Sequence, residues 1–333
     1  MKLKLHTAAL IALILIWLSP NSMAMSRDNS DAVRSALNRG KADAALKVLD
    51  SALEQNTSDA EAWNLRCRVF YAEKRWDDAI SACERSVQIA PGVSSYHMWL
   101  ARAYGEKADR VNFVAAYKMA KLIRAEFESA ASLDPHNGEA LSDLGEYYVQ
   151  APAILGGGTN KAEDVARQLD GFSPVRAHDL RARIAENKQD YLTAEREFHA
   201  KISAAAHTEK QSSAQSWMDL GSFYRRRGRL DDMQAAVQSG AIAATDHGSA
   251  LVDGASNLIR AKRREDLAAE WMRQYLDSGV LSEDAPAFVV HKQLGDYYKE
   301  HGDPRRAEQE YAASRALASG FGEGQTQKTN TDR

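Results

Sequence analysis

Proline and glycine are scarce in this 333-residue chain, at seven and twenty residues, which argues against a turn-rich all-β fold. An excess of positive charge is missing too. The formal net charge is −3, and a nucleic-acid binder would show a basic face, so nucleic acid is not an expected partner. The signatures of catalysis are absent as well. There is no H-E-x-x-H, no G-x-S-x-G and no cysteine paired with histidine at zinc spacing. Carboxylates are spread too evenly to nominate an acid/base pair. The expectation is a protein that is not an enzyme, with no cofactor and no metal. Eight histidines follow residue 24 without any grouping and read as surface or turn residues.

Long apolar runs are also lacking, except at the start. Lys2 and Lys4 precede the stretch from Ala8 to Leu18, which is too short to span a bilayer comfortably. Pro20 and Asn21 break it, and Ser22-Met23-Ala24 ends it with small residues around Met23. Charge, apolar core and small-x-small ending make a secretory signal over residues 1–24, with an uncleaved anchor as the rival reading. No cysteine lies near the cleavage point to carry a lipid. The expected location is periplasmic or secreted, with no integral membrane span after cleavage.

What is plentiful is helical hydrophobic pattern, in a chain that is 44% hydrophobic and 27% charged. Leu144-Gly145-Glu146-Tyr147-Tyr148, Leu220-Gly221-Ser222-Phe223-Tyr224 and Leu294-Gly295-Asp296-Tyr297-Tyr298 share one pattern, and Leu100-Ala101-Arg102-Ala103-Tyr104 varies it. A tyrosine four positions after a leucine lies on the same helix face, with the small residue beside it. Large, small, large along one stripe is a surface against which another helix packs tightly. A second helix follows each, striped by Trp76, Ala79 and Cys83, by Tyr191, Ala194 and Phe198, or by Pro304, Ala307 and Tyr311. Ala90-Pro91, Asp134-Pro135 and Ser173-Pro174 punctuate the helix ends.

These residues resemble the tetratricopeptide repeat, read as W-x2-L-G-x2-Y…A-x3-F…P. Trp63 and Trp217 take the leading tryptophan position. The resemblance covers roughly residues 30 to 318. It implies an all-α fold, a right-handed α-solenoid of about seven to eight stacked antiparallel helical hairpins. Residues 25–59 form a degenerate first unit, in which Ala42, Ala45, Leu49 and Ala52 of the second helix match best. Seven units follow near residues 60–93, 94–137, 138–174, 175–208, 214–247, 248–281 and 288–318. The unit from Ala250 to Tyr275 is weak, because Gly254 and Ala255 replace the Leu-Gly pair. Residues 319–333 are polar and glycine-bearing and read as a disordered tail.

Two units depart from the pattern. About ten extra residues fall between Tyr104 and Ala120, and about five between Tyr148 and Ala162, including Gly156-Gly157-Gly158. Insertions in repeat arrays map to loops or lengthened helices on one face. Glycine amides ahead of a helix attract anions, but this run lacks phosphate-loop spacing and follows a helix. It reads as an inter-helix loop with Thr159 or Asn160 capping the next helix. Two arginine-rich turns, Arg225 to Arg229 and Arg260 to Arg264, fall side by side in consecutive units. They read either as a docking ridge or as solvated turns balanced by Asp231, Asp232, Glu265 and Asp266.

Helical phase places Tyr71, Ser142, Glu146, Asp179, Arg183, Met218, Ser222, Arg225, Lys292 and Asp296 on the concave inner face. Their mixture of charge, hydroxyl and soft apolar groups suits a protein or peptide partner. The function expected is an exported protein-binding or peptide-binding scaffold. The alternative is a small-ligand or glycan-binding accessory of an envelope enzyme system, using the Gly156–Gly158 loop. Cys67 and Cys83 sit in the two helices of one hairpin, with Cys67 expected opposite Ala79, a turn from Cys83. A disulfide there and a pair of small buried apolar thiols both remain open.

Overall fold

The computed structural model describes residues 24–206 and 210–322. The signal assigned to residues 1–24 lies outside it except for Ala24, as does the tail from residue 323. Sixteen α-helices and no strand are found among the described residues. They form eight antiparallel hairpins: α1 (Arg27–Asn38) with α2 (Ala42–Gln55), α3 (Ala60–Ala72) with α4 (Trp76–Ile89), α5 (Ser94–Ala108) with α6 (Phe113–Leu133), and α7 (Gly138–Gln150) with α8 (Thr159–Asp170). Then come α9 (Pro174–Asn187) with α10 (Tyr191–Ala206), α11 (Lys210–Arg226) with α12 (Leu230–Ala243), α13 (Ala250–Arg260) with α14 (Glu265–Asp277), and α15 (Ala287–Glu300) with α16 (Pro304–Leu317). No helix among the described residues is long and apolar enough to cross a membrane.

The starts of the helices follow from local chemistry. Asp59, Asn112, Asn137 and Asp303 each accept a hydrogen bond from an amide in the first turn of the helix that follows, at 2.9–3.1 Å. Such caps satisfy amides that the helix itself leaves unpaired. Pro174 and Pro304 open α9 and α16, where a missing N–H costs nothing. Most hairpin turns place one residue in the left-handed region, among them Gly40, Lys74, Gln189, Gly228 and Gly302. The α5–α6 and α7–α8 connections do not follow that form, and these carry the two insertions.

Packing within hairpins uses the striped positions. A Cβ built on Gly221 would lie 2.6 Å from Val237 Cγ1 of α12, and one on Gly295 2.5 Å from Tyr311 Cε1 of α16. Gly145 differs, since its nearest neighbour is Leu180 of α9, in the next unit, rather than α8. The tyrosine of each stripe reaches back to the preceding hairpin. Tyr104 donates to Glu84 at 2.6 Å, Tyr148 to Glu128 at 3.0 Å and Tyr224 to Glu195 at 2.6 Å. Burial first, then the carboxylate, pushes the Tyr148 phenol up to about 12, so these hydroxyls stay protonated as donors.

Several expectations need correction. Three histidines are not loose surface groups but a repeated tie between the two helices of a hairpin. His97 faces Glu126 at 2.6 Å, His178 faces Glu197 at 2.8 Å and His291 faces Glu310 at 2.6 Å. Cys67 and Cys83 are joined in a disulfide, with Cα atoms 5.2 Å apart. The register is closer than expected because each cysteine stands eight residues from Arg75, at the turn. Gly158, not Thr159 or Asn160, is the cap residue of α8. The chain also stays ordered beyond Ala318: Ser319 to Gly322 form a turn.

That turn closes the molecule. The Ser319 amide and hydroxyl both donate to the Asp43 carboxylate, at 3.0–3.1 Å. The Phe321 ring packs on Phe288 and lies under Lys74. Phe288 and Ala318 belong to the same buried core as Val33, Leu37, Leu49 and Leu65. A Cβ on Gly40 would collide with Ala287 of α15, so only the bare left-handed glycine admits that approach. Arg68 of α3 pairs with Glu283, in the loop between α14 and α15. The last hairpin therefore packs on the first two, and the array is a ring whose inner face is made by the odd-numbered helices.

Candidate functional site

The inner face is built from side chains repeating along successive first helices, which places like positions next to one another. Charges on neighbouring helices answer each other. Arg102 of α5 bonds Asp143 of α7 at 2.6 Å and Glu139 at 3.2 Å. Glu146 of α7 meets Arg183 of α9 at 3.1 Å. Asp179 of α9 takes Arg183 at 2.9 Å and Lys201 at 2.6 Å, and Lys201 also reaches Asp219 of α11. Burial alone would raise the Asp179 carboxyl, but Lys201 and Arg183 together hold it well below the usual carboxylate range. Lys201 stays charged in its 7% exposed position because Asp219 and Asp179 outweigh the burial.

Of the ten inner-face candidates, Glu146, Asp179 and Arg183 come together in this network. Ser222 and Arg225 come together on Asn257 of α13, whose Oδ1 accepts from Ser222 Oγ at 3.1 Å and Arg225 Nε at 3.0 Å. Ser142 returns its hydroxyl to Gly138 of its own helix at 2.8 Å. Tyr71 is wedged edge-on between Trp76 and Trp99. Lys292 and Asp296 pair at 2.6 Å away from the network, and Lys292 lines a cavity at the ring seam with Lys74, Tyr311 and Phe321.

Met218 is a correction, because it is fully buried. Its sulfur and methyl fill the space left by two glycines, and a Cβ on Gly254 or Gly240 would come within 2.8–2.9 Å of them. The apparent weakness of the α13 stripe is thus the counterpart of a large residue on α11.

Residues that periodicity missed belong to the same face. Asp253 of α13 has Gln215 as its hydrogen-bond partner, at 2.8 Å, and no cation within ion-pair reach among the described residues. It keeps contact with solvent, yet the surrounding walls remove enough water to push its carboxyl up to about 6, with Asp219 and Asp284 adding to the shift. Arg225 and Arg260 likewise have no carboxylate partner among the described residues. Burial and then Arg260 lower the Arg225 guanidinium from its ordinary value. Lys201 comes from a second helix, which no reading of first helices would select.

The other arginines of the two basic turns are engaged locally, most of them by carboxylates. Arg226 grips Glu186 through two bonds at 2.7–2.8 Å, and Arg229 holds Glu195 and Asp232. Arg263 and Arg264 pair with Asp231 and Asp266, and Arg227 stacks on Tyr191. In the glycine loop, the amides of Gly156, Gly157 and Gly158 donate to Ala153, Pro152 and Tyr148 carbonyls at 2.8–3.2 Å. The three glycine amides are therefore already spent on backbone carbonyls. No group of histidine, cysteine, aspartate and glutamate among the described residues could hold a metal ion.

Residues 30–94 match the family model of the tetratricopeptide repeat. Superkiller complex protein 3 of Mus musculus is 26% identical over 219 residues, covering 61% of this chain and 13% of the mouse protein. The chain thus corresponds to a small part of that relative. Among solved structures, a thermophilic tetratricopeptide protein of Thermus thermophilus aligns with TM-score 0.46 and 19% identity over 62% of this chain and 99% of that one. The apo quorum sensor NprR of B. thuringiensis aligns with TM-score 0.44 and 12% identity, over 87% and 86%. The chain is an all-α helical-repeat solenoid, with a tetratricopeptide match in its opening hairpins.

Proposed function

We propose that this protein is an exported scaffold that binds a protein or peptide on the inner face of its ring. Helical-repeat proteins of this kind generally act as protein-interaction scaffolds, and export is supported by the leading apolar segment and the Cys67–Cys83 bond. One observation carries the reading. Around α11 and α13 the inner face keeps charges of both signs unneutralised, Arg225 and Arg260 beside Asp253, while the rest of the face is internally paired. A polypeptide supplies both acidic and basic groups along an extended backbone, and Asn257 already orients Arg225 toward it. No reaction is assigned to the face.

The test is capture from an envelope fraction with the mature protein, followed by mass spectrometry. A discrete polypeptide should be retained by the wild type and lost from the Arg225→Glu plus Arg260→Glu variant at unchanged helical content. Equal capture by both, or co-purification of small molecules alone, would refute the reading. Export is checked separately, by amino-terminal sequencing. The expected start is Met25 in the periplasmic fraction, and an intact Met1 would remove the export part.

A further inference from the structure

We infer that the tip of the α5–α6 hairpin is a docking surface for an anionic lipid bilayer. The two insertions, one in each of two consecutive units, meet in space. The 3-10 turn Ala153–Leu155 lies against α6, where Tyr147 donates to the carbonyls of Ala120 and Leu155 at 3.0 and 2.8 Å, and Arg124 reaches Leu155. Helix α6 runs for 21 residues, against 14 in α4 and 12 in α8. Its buried residues are Ile123, Phe127 and Ala130, and none of its first ten residues is fully buried.

Those ten residues are not polar, as a solvated extension would be. Phe113 is 83% exposed and Val114 64%, and Ile154 of the neighbouring turn is 78% exposed. Large apolar groups held in water on one projection mark an interaction site. Charge says which kind. From Arg110 to Ala125 there are four cations and no acid, in a chain whose net charge is negative. Arg110 and Arg124 pair with Glu106 and Glu128 outside that run, whereas Lys118 and Lys121 have no carboxylate partner among the described residues. Helical rise sets these lysines about 7–12 Å behind Phe113. Apolar side chains at the leading end with cations following are the order met on entering an anionic bilayer, acyl boundary beyond phosphate.

Co-sedimentation of the full chain with phosphatidylcholine vesicles, with and without phosphatidylglycerol, tests this. Partition should favour the anionic vesicles about tenfold or more. Phe113→Asp plus Val114→Asp should abolish binding, and Lys118→Glu plus Lys121→Glu should abolish the preference for anionic lipid. Ile242→Asp, at a position 81% exposed on α12, should change neither. Binding through residues 1–24 would ignore all three variants. No anionic preference, or variants that bind like the wild type, would overturn the proposal. So would a photo-crosslinker at Val114 that captures polypeptide in cells instead of lipid.

Discussion

Single residues in this protein are constrained by the helix facing them more than by their own helix. Gly221 illustrates it: with Val237 Cγ1 only 2.6 Å from the site of a Cβ, any side chain must displace Val237, and a large one must also crowd the α12 backbone at Met233. Gly221→Leu should lower stability by roughly 1–3 kcal/mol or more, measured by denaturant unfolding, and an unchanged midpoint would contradict the packing. Asp253 carries the clearest pH signature. Its native carboxyl, pushed up to about 6, holds a proton that the unfolded chain releases near 3.9. Between those values the native state binds more protons, so this residue's contribution to stability declines as pH rises from about 4 to 6. Asp253→Asn should flatten that decline in melting temperature, and parallel profiles for the two proteins would exclude it. Met218 was legible as a helical residue but not as a buried one, because Gly254 and Gly240, which receive it, lie 36 and 22 positions away.

At the scale of elements, the stripes were readable because a hairpin's two helices are neighbours in sequence. Leu, Gly and Tyr at fixed offsets announced α7, α11 and α15 directly. The histidine ties were harder to see: His178–Glu197 and His291–Glu310 share a 19-residue separation, but the insertion between α5 and α6 stretches His97–Glu126 to 29 and hides the repeat. The α3–α4 hairpin has a covalent staple besides its packing. Reducing it, or replacing Cys67 and Cys83 by serine, should destabilise the hairpin by about 3 kcal/mol in the chain-entropy model. Thiol counting on unfolded protein checks the premise: the bond predicts none without reductant, and two would disprove it. The inner face divides in the same way. Glu146, Asp179 and Arg183 follow from helical phase, but Lys201 enters from α10 and Asp253 from a helix whose stripe is disguised.

Across the whole molecule, the unforeseen feature is the join between its ends. Ser319 meets Asp43 across 276 positions, and no local pattern anticipates a contact so remote. In an open array each terminal unit has one neighbour and frays first. Here Asp43→Ala combined with Phe321→Ala should release the seam, raising amide exchange in α1, α2, α15 and α16 by about tenfold, a local cost of roughly 1–2 kcal/mol. Uniform exchange in wild type and variant would show that the seam carries no stability. The join has a further meaning for the order of the chain. Because both ends share one core, the polypeptide's beginning is a matter of connectivity and not of architecture. A short linker bridging the seam, with new termini cut at the turn before Asn137, should yield a circularly permuted protein with the same eight hairpins.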